Sequence, residues 1–376
     1  MNDQREITAL GLMSGTSCDG IDAAILRSDG VRVFGLGAAG YTAWSPADRE
    51  VLRTAIAAAK TCSRRDDGQP AIAAAAGLVT ERHGEAVRAL LAGQEEVVEL
   101  IGFHGQTIAH RPEEGWSWQI GDGAALAARL GIAVVDDFRR ADMAAGGQGA
   151  PLAPLYHRAL LAAPPPGLRA PAGWPAAVLN LGGVGNVTWL AGPGDEDRLI
   201  AFDCGPGNAL LDDWMARTRG RSMDRDGALA RTGRVRGEVL DRLLDNAFFN
   251  QTPPKSLDRD AFSLAPLAGL SPADGAATLV AFTAASVARA CEHFPQPPQC
   301  WLVCGGGRRN PALMAALAER LDAPVGPVET LGWRGDFLEA ECFAYLAARA
   351  RANLPLSLPQ TTGAAKPTLG GRVSLP

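Results

Sequence analysis

The sequence predicts an α/β protein made of two similar halves, and three observations carry that prediction. An apolar strand, a glycine-rich turn and a second strand open the chain over residues 6–28, and the same pattern returns over 177–190. Helical spacing of apolar residues follows each opening. The 376 residues are more than one core usually holds, and 47% hydrophobic with 20% charged residues is the make-up of a globule.

Residues 6–12 read as a strand that ends in a glycine-rich turn, and 21–28 and 31–36 as strands joined through Asp29-Gly30. Ala-rich stretches at 46–60 and 69–92 have helical spacing. Residues 97–103 form a buried-type strand running into His104-Gly105-Gln106-Thr107, followed by a helix at 122–130 and a strand at 132–135. Pro164-Pro165-Pro166-Gly167 and Pro171-Ala172-Gly173-Trp174-Pro175 are loop material near mid-chain. Strands at 177–181 and 186–190 then flank Gly182-Gly183-Val184-Gly185. Helices are expected at 207–217, 224–246, 275–293, 309–321 and 336–351, and a strand at 300–304 feeds Gly305-Gly306-Gly307. The Pro- and Gly-rich stretch 354–376 reads as tail or edge structure.

Composition excludes several classes. The net charge is -5 and no Lys/Arg block stands out, so nucleic acid is not an expected partner. Seven cysteines, an odd number without metal-ligand pairing, point to a reducing compartment, and the five histidines show no metal spacing. Residues 1–6 lack the blocks of a signal peptide, and no uncharged apolar run reaches membrane-spanning length. A cytoplasmic protein without a membrane partner is the expectation.

Glycine is abundant, 44 residues against a usual share of about 7%, and it gathers in turns that follow predicted strands: 15–20, 182–185, 205–207 and 305–307. Such turns can be plain hairpins. Four of them, two flanked by hydroxyls or acids, favour phosphate binding, because successive backbone N–H groups form an anion nest. No G-x-x-x-x-G-K-[ST] is present, and Gly182-Gly183-Val184-Gly185 sits inside a hairpin, unlike a dinucleotide fingerprint. The first turn offers Ser14, Thr16 and Ser17 as hydroxyls and Asp19 and Asp22 as acids. Asp19 can approach Mg²⁺ or cap its own backbone.

In Phe202-Asp203-Cys204-Gly205-Pro206-Gly207-Asn208 a strand delivers one carboxylate to a turn that opens a helix. Asp203 is placed either as a general base or as the cap of that helix. The turns around His104, Gln106 and Thr107, and around Arg139, Asp142 and Gln148, suit a polyhydroxylated ligand. His104 reads as a hydrogen-bonded structural histidine before a catalytic one.

These segments, in this order, resemble the anhydro-N-acetylmuramic acid kinase family. The resemblance rests on Gly11-Leu12-Met13-Ser14-Gly15-Thr16-Ser17-Cys18-Asp19-Gly20, His104-Gly105-Gln106-Thr107, Gln119-Ile120-Gly121-Asp122, Asp137-Phe138-Arg139, Gly146-Gly147-Gln148-Gly149-Ala150-Pro151-Leu152, Asn180-Leu181-Gly182-Gly183 with Asn186, the Asp203 segment and Cys304-Gly305-Gly306-Gly307. It spans residues 7 to about 350. It implies two RNase H-like, actin-like ATPase domains with ATP in an interdomain cleft. Residues 1–140 would form the first, joined by a returning tail at 367–376, and 141–366 the second.

The resemblance assigns Gly15, Thr16, Ser17, Cys18, Asp19, Gly20, Ile21 and Asp22 to the ATP phosphates, with Asp19 as a candidate Mg²⁺ ligand. Gly182, Gly183 and Asn186 would line a second phosphate segment, and Gly305, Gly306 and Gly307 would sit by the adenosine. His104, Gln106, Thr107, Arg139, Asp142, Gln148, Gly205, Asn208 and Glu339 would meet the sugar, and Asp203 would be the catalytic aspartate. The implied reaction opens the ring of 1,6-anhydro-N-acetylmuramic acid with water and phosphorylates the six-position oxygen from ATP, in cell-wall recycling. A homodimer is implied as well. The chain departs from the family pattern at Cys18, where Leu is usual, and at Lys255-Ser256-Leu257-Asp258-Arg259. Two other readings stay open: another sugar or acyl kinase of the superfamily, and a non-catalytic actin-like nucleotide-binding sensor. Asp203 and the polar loops count against the sensor.

Overall fold

Alternation along β1 (Ile7–Ser14) organises the first sheet. Leu10 and Leu12 enter one apolar cluster, and Gly11 faces the opposite side. The computed structural model describes residues 5–15, 17–65, 68–193, 198–259 and 261–376. After β1 come β2 (Gly20–Ser28), β3 (Val33–Ala43) and two helices, α1 (Pro46–Ala59) and α2 (Pro70–Leu91). Ser45 starts α1 through a capping box with Asp48. Leu52, Ala55, Ile72, Ala75 and Val79 of these helices join Leu10, Leu12, Ile21, Ala23 and Ile25 in one core. The chain continues through β4 (Leu100–Arg111), β5 (Trp116–Ile120), α3 (Gly123–Leu130), β6 (Ala133–Asp136), α4 (Arg140–Ala144) and α5 (Pro154–Ala162).

The second sheet starts with β7 (Ala176–Leu181), β8 (Val184–Leu190) and β9 (Leu199–Pro206), followed by α6 (Ala209–Arg219), α7 (Gly237–Leu244) and α8 (Pro272–Ala290). It ends with β10 (Cys300–Cys304), α9 (Pro311–Arg320) and β11 (Val325–Pro327). Ala177, Leu179 and Leu181 alternate into a core with Phe202, Trp214, Leu243, Phe282 and Leu317. Beyond it lie α10 (Leu338–Arg351), α11 (Pro359–Thr362) and β12 (Arg372–Ser374).

Both sheets have one topology. In the first, β1, β2 and β3 are successively antiparallel, while β4 runs parallel to β1 and β6 parallel to β4. The second repeats this with β7, β8 and β9 antiparallel, β10 parallel to β7 and β11 parallel to β10. With β5 set aside, which pairs antiparallel with β4 off this path, the strands numbered within each sheet run three-two-one-four-five, with β12 added antiparallel beyond β6 in the first. The expected pair of RNase H-like α/β domains is therefore present as two copies of one strand order.

The chain divides into Met1–Leu168 with Phe337–Pro376, and Arg169–Asp336. The sequence reading divides it at 140/141 and 366/367. The difference lies largely in α10, which returns to the first sheet. Its backbone lies so close to β1 and β4 that only glycine fits at Gly11 and Gly102. The helix expected at 224–246 is broken. Only α7 is α-helical there, preceded by short turns at Arg225–Gly227 and Ala230–Thr232. Gly227 takes φ +62, and the Asp224 carboxylate accepts from the Leu229 and Ala230 amides.

Candidate active site

In the second unit, three glycine turns far apart in sequence meet around Leu181 and Asn208. The Gly207 and Ala209 amides donate to Gly183 O, and the Asn208 amide donates to Gly182 O at 2.8 Å. The Asn208 side chain donates Nδ2 to Leu181 O at 2.9 Å and to Gly182 O at 3.1 Å. A Cβ on Gly305 would sit 2.7 Å from Leu181 C, and one on Gly307 would sit 2.6 Å from Leu181 Cβ. Gly305 also takes φ +72, which L residues rarely adopt. Arg308 braces this turn through Nη1 to Gly305 O at 2.9 Å and ion pairs with Glu329 and Asp336. The result is a small patch of glycine backbone, exposed at Gly183 and Gly306 and half-buried at Gly182 and Gly305, with Gly205, Gly207 and Gly307 buried.

Gly207 is the tightest point of the patch: an added Cβ would fall within 3.0 Å of Gly182 O, a backbone atom that no rotamer change can move. Gly207→Ala is expected to cost about 2–3 kcal/mol, which lowers Tm by roughly 4–10 °C. A thermal melt checks it, and a shift under about 1 °C contradicts the packing.

Asp203 lies on β9, in register with Asn186 on β8 across an irregularity at Gly185. It does not cap α6. Asn208 occupies that N-cap position, and the Asp203 carboxylate turns to the segment after α7, accepting the Leu257 amide at 2.7 Å. The Asp203 amide donates to Lys255 O at 2.9 Å. Burial pushes the carboxyl up to about 7, with the Leu257 N–H pulling the other way. Of the two sequence readings, the helix cap is thus excluded. What remains is a carboxylate that changes protonation near neutral pH. The divergent 255–259 segment reaches Asp203 through main-chain atoms, a contact that tolerates side-chain change.

The first unit holds the other predicted groups. Of the loop 15–22, Cys18 and Ile21 turn their side chains into the apolar core, so only their main chain can meet a ligand. Ser17 and Asp19 are exposed, Asp22 is half-buried on β2, and Thr16 lies outside the described residues. The Cys18 amide closes the turn on Gly15 O at 3.1 Å with Cys18 at φ +54. Gly20 is required because an added Cβ would strike the Tyr41 ring and Thr42 O.

Gln106 is the residue that fixes this loop. It is fully buried, accepts Ser14 Oγ at 2.5 Å and donates Nε2 to Gly15 O at 3.0 Å. Trp44 Nε1 also donates to Ser14 Oγ, at 3.2 Å. Thr107 is tied to β5, accepting Gln119 Nε2 at 3.1 Å.

A second cluster forms around Arg139. Its Nη2 donates to His104 Nε2 at 2.9 Å, and Nη1 to Gly149 O at 2.7 Å. His104 must therefore accept at Nε2 and carry its proton on Nδ1, which donates to Gly105 O at 3.0 Å. Burial, and then Arg139, hold the imidazole neutral well below its usual range. Its ring packs 4.4 Å from that of Phe343. Both nitrogens are occupied, so His104 acts as the seat of Arg139. Asp142 is buried and accepts from the Gly149 amide at 2.7 Å, from Thr362 Oγ1 at 2.6 Å and from Ser357 Oγ. It shapes the 145–150 turn, where Gln148 stands half-buried. Glu339 is exposed in the first turn of α10 and close enough to offset the charge of Arg139. No ion pair to Arg139 occurs among the described residues.

The chain matches the family described as "Anhydro-N-acetylmuramic acid kinase" over residues 7–375. It is 57% identical over 366 residues to a protein of that name from Rhodospirillum rubrum, covering 97% of this chain and 93% of the relative. Relatives of the same name from Rhizorhabdus wittichii and Paramagnetospirillum magneticum are 53% and 50% identical. Those two matches cover 97% and 98% of this chain, and 98% and 99% of the relatives.

Proposed function

The chain belongs to the anhydro-N-acetylmuramic acid kinase family, and from that membership we propose how its residues perform the reaction. The protein is a sugar kinase that uses ATP. It opens the anhydro ring of 1,6-anhydro-N-acetylmuramic acid and phosphorylates the oxygen released, which recycles cell-wall sugar. The carrying observation is Asp203: one carboxylate on β9 just before the Gly205-Pro206-Gly207 turn, with burial holding its carboxyl at about 7.

Asp203 takes the proton of a water as that water bonds to the anomeric carbon. The bond from that carbon to the bridging oxygen breaks. The freed six-position oxygen bonds to the γ-phosphorus of ATP as the bridge to the β-phosphate breaks. The products are N-acetylmuramic acid 6-phosphate and ADP, and the proton stays on Asp203. One carboxylate suffices because phosphorus, not a proton, captures the leaving oxygen. Positioning and charge stabilisation carry the remaining work.

The glycine backbone of 182–183 and 305–307, with Asn186, is proposed to hold the nucleotide, and the 15–22 loop its phosphates. Gly205 and Asn208 meet the sugar beside Asp203. Arg139, seated on neutral His104 and lacking an ion pair among the described residues, suits the lactyl carboxylate. Gln106, Thr107 and Asp142 hold the turns, while Gln148 and Glu339 face the sugar. An exposed carboxylate on Asp19 fits Mg²⁺, which needs one or two protein carboxylates besides phosphate oxygens. When bound, Mg²⁺ neutralises phosphate charge. Among the described residues no cluster of three or more His, Cys, Asp or Glu could hold a metal by itself.

We also infer a cytoplasmic homodimer. The family resemblance supports the dimer. The location is supported by the odd set of seven scattered cysteines, a usage that suits a reducing compartment.

Turnover of the anhydro-sugar in heavy-oxygen water tests the reaction. One heavy oxygen is expected at the anomeric hydroxyl and none bridging to phosphorus. Label absent from the anomeric carbon overturns hydrolytic opening. Faster ADP release with a plain hexose than with the anhydro-sugar favours a different sugar kinase.

A further inference from the structure

The Asp203 carboxylate depends on a segment with no regular structure of its own. The chain between α7 and α8 passes β9 at residues 255–257 and grips Asp203 twice, through Lys255 O on its amide and the Leu257 N–H on its carboxylate. Something must hold that segment still, because a 2.7 Å hydrogen bond from a loop amide is lost with a small displacement.

The side chain of Lys255 is the anchor available. The residue is only 5% exposed. Its Nζ donates to Phe248 O at 3.1 Å and stands 3.4 Å from His293 Nε2. The ammonium lies 4.6 Å from the Phe248 ring centroid and 5.8 Å from that of Phe202, the residue before Asp203. No ion pair to Lys255 occurs among the described residues. A buried ammonium held by a carbonyl, an imidazole and two ring faces is a costly device for packing alone, since an apolar side chain of like length fills the space without desolvating a charge. Three separate elements are fastened by it: β9 through Phe202, the turn at Ala247–Asn250 through Phe248 O, and the short turn Cys291–His293 after α8 through His293.

We propose that Lys255 is a positioning residue for the kinase reaction, the anchor that keeps the Leu257 amide on the Asp203 carboxylate. This rests on Asp203 acting as the base. Lys255 acts through the segment: its ammonium donates to Phe248 O, while the Asp203 carboxylate is held by the Leu257 N–H. The titratable and charged groups around the anchor are Asp203 and Cys204 on β9, Arg289 on α8, and Glu292 and His293 just after it.

Lys255→Met keeps the stem and removes the ammonium. The expected result is a fall in kcat of about tenfold or more with KM for sugar and nucleotide within about twofold, because positioning is lost and binding is not. The acidic limb of the kcat–pH profile, set by Asp203, is expected to move up by about half a pH unit or more, since an N–H donor to the ionised form has gone. Lys255→Arg, read in the same assays, is expected to show a smaller shift in the same direction, and it decides the matter if Lys255→Met purifies unfolded. An acidic limb that stays in place or moves down, whatever the melting temperature does, overturns the anchor. The Asp203 reading fails separately, if the parent enzyme has no acidic limb or Asp203→Asn turns over.

Discussion

Asp203→Asn is expected to lower kcat by roughly 10²–10⁴-fold, the usual worth of a positioned proton acceptor, with nucleotide affinity unchanged. The same variant is expected to be more stable than the parent at neutral and alkaline pH. The sign follows from the raised carboxyl, which goes from 3.8 unfolded to about 7 folded. Between those values the folded chain keeps a proton that the unfolded chain has released, so parent stability falls as pH rises across that window. The loss is complete above about 7 and amounts to at most about 4 kcal/mol. Asparagine accepts the Leu257 N–H without a charge and has no such slope. The two melting curves should coincide near pH 4 and separate by roughly 5–10 °C above pH 7. Activity should fall in the parent as pH drops through about 7, because the base must be ionised to take a proton. Near-normal ADP release from Asp203→Asn removes the base assignment; equal melting temperatures at pH 8 remove the desolvated carboxylate.

Both features were partly legible in the sequence. The strand-turn-strand openings at 6–28 and 177–190 became β1–β2 and β7–β8, each the start of the same sheet order. Local alternation and glycine punctuation are enough to mark such hairpins. Legible too was the run of glycine turns, although their meeting at Leu181 and Asn208 is a product of sheet order, which no single segment encodes. The two-point grip on Asp203 was not legible, because Lys255 O and the Leu257 amide act through backbone that any residue supplies. Nor was the break at 224–246. Apolar spacing there continues in a helical manner, but Gly233 must pass against Ala273 O, and that contact is set by α8, some forty residues on. The return of α10 to the first sheet did leave one signal. Gly11 and Gly102 are glycines flanked by apolar residues inside strands, and such residues often mark a close backbone approach. In the sheet they are partners in register, side by side beneath one helix.

Gly11→Ala is expected to be the most damaging single methyl in the first unit. The new Cβ would lie 2.5 Å from Ala344 N and closer still to Ala340 O, both backbone atoms of α10. No rotamer can relieve that, so the helix must retreat by about an ångström or more to restore ordinary contact. Retreat opens the packing of Ala340, Phe343, Ala344 and Ala347, all buried. A cost above about 4 kcal/mol follows, the range kept for mutations that break a core. Gly102→Ala meets Phe343 C at 2.6 Å and should behave alike. The damage reaches the site, because Phe343 packs on the His104 ring that seats Arg139. Gly77→Ala is the control of opposite sign. Gly77 is exposed inside α2 with nothing within 4 Å of an added Cβ, so it should gain roughly 0.5–1 kcal/mol from reduced backbone entropy. Thermal melts of the three variants decide it. If Gly11→Ala melts within about 2 °C of the parent, α10 does not lie against β1 as described, and the seat of Arg139 must be held by something other than this helix.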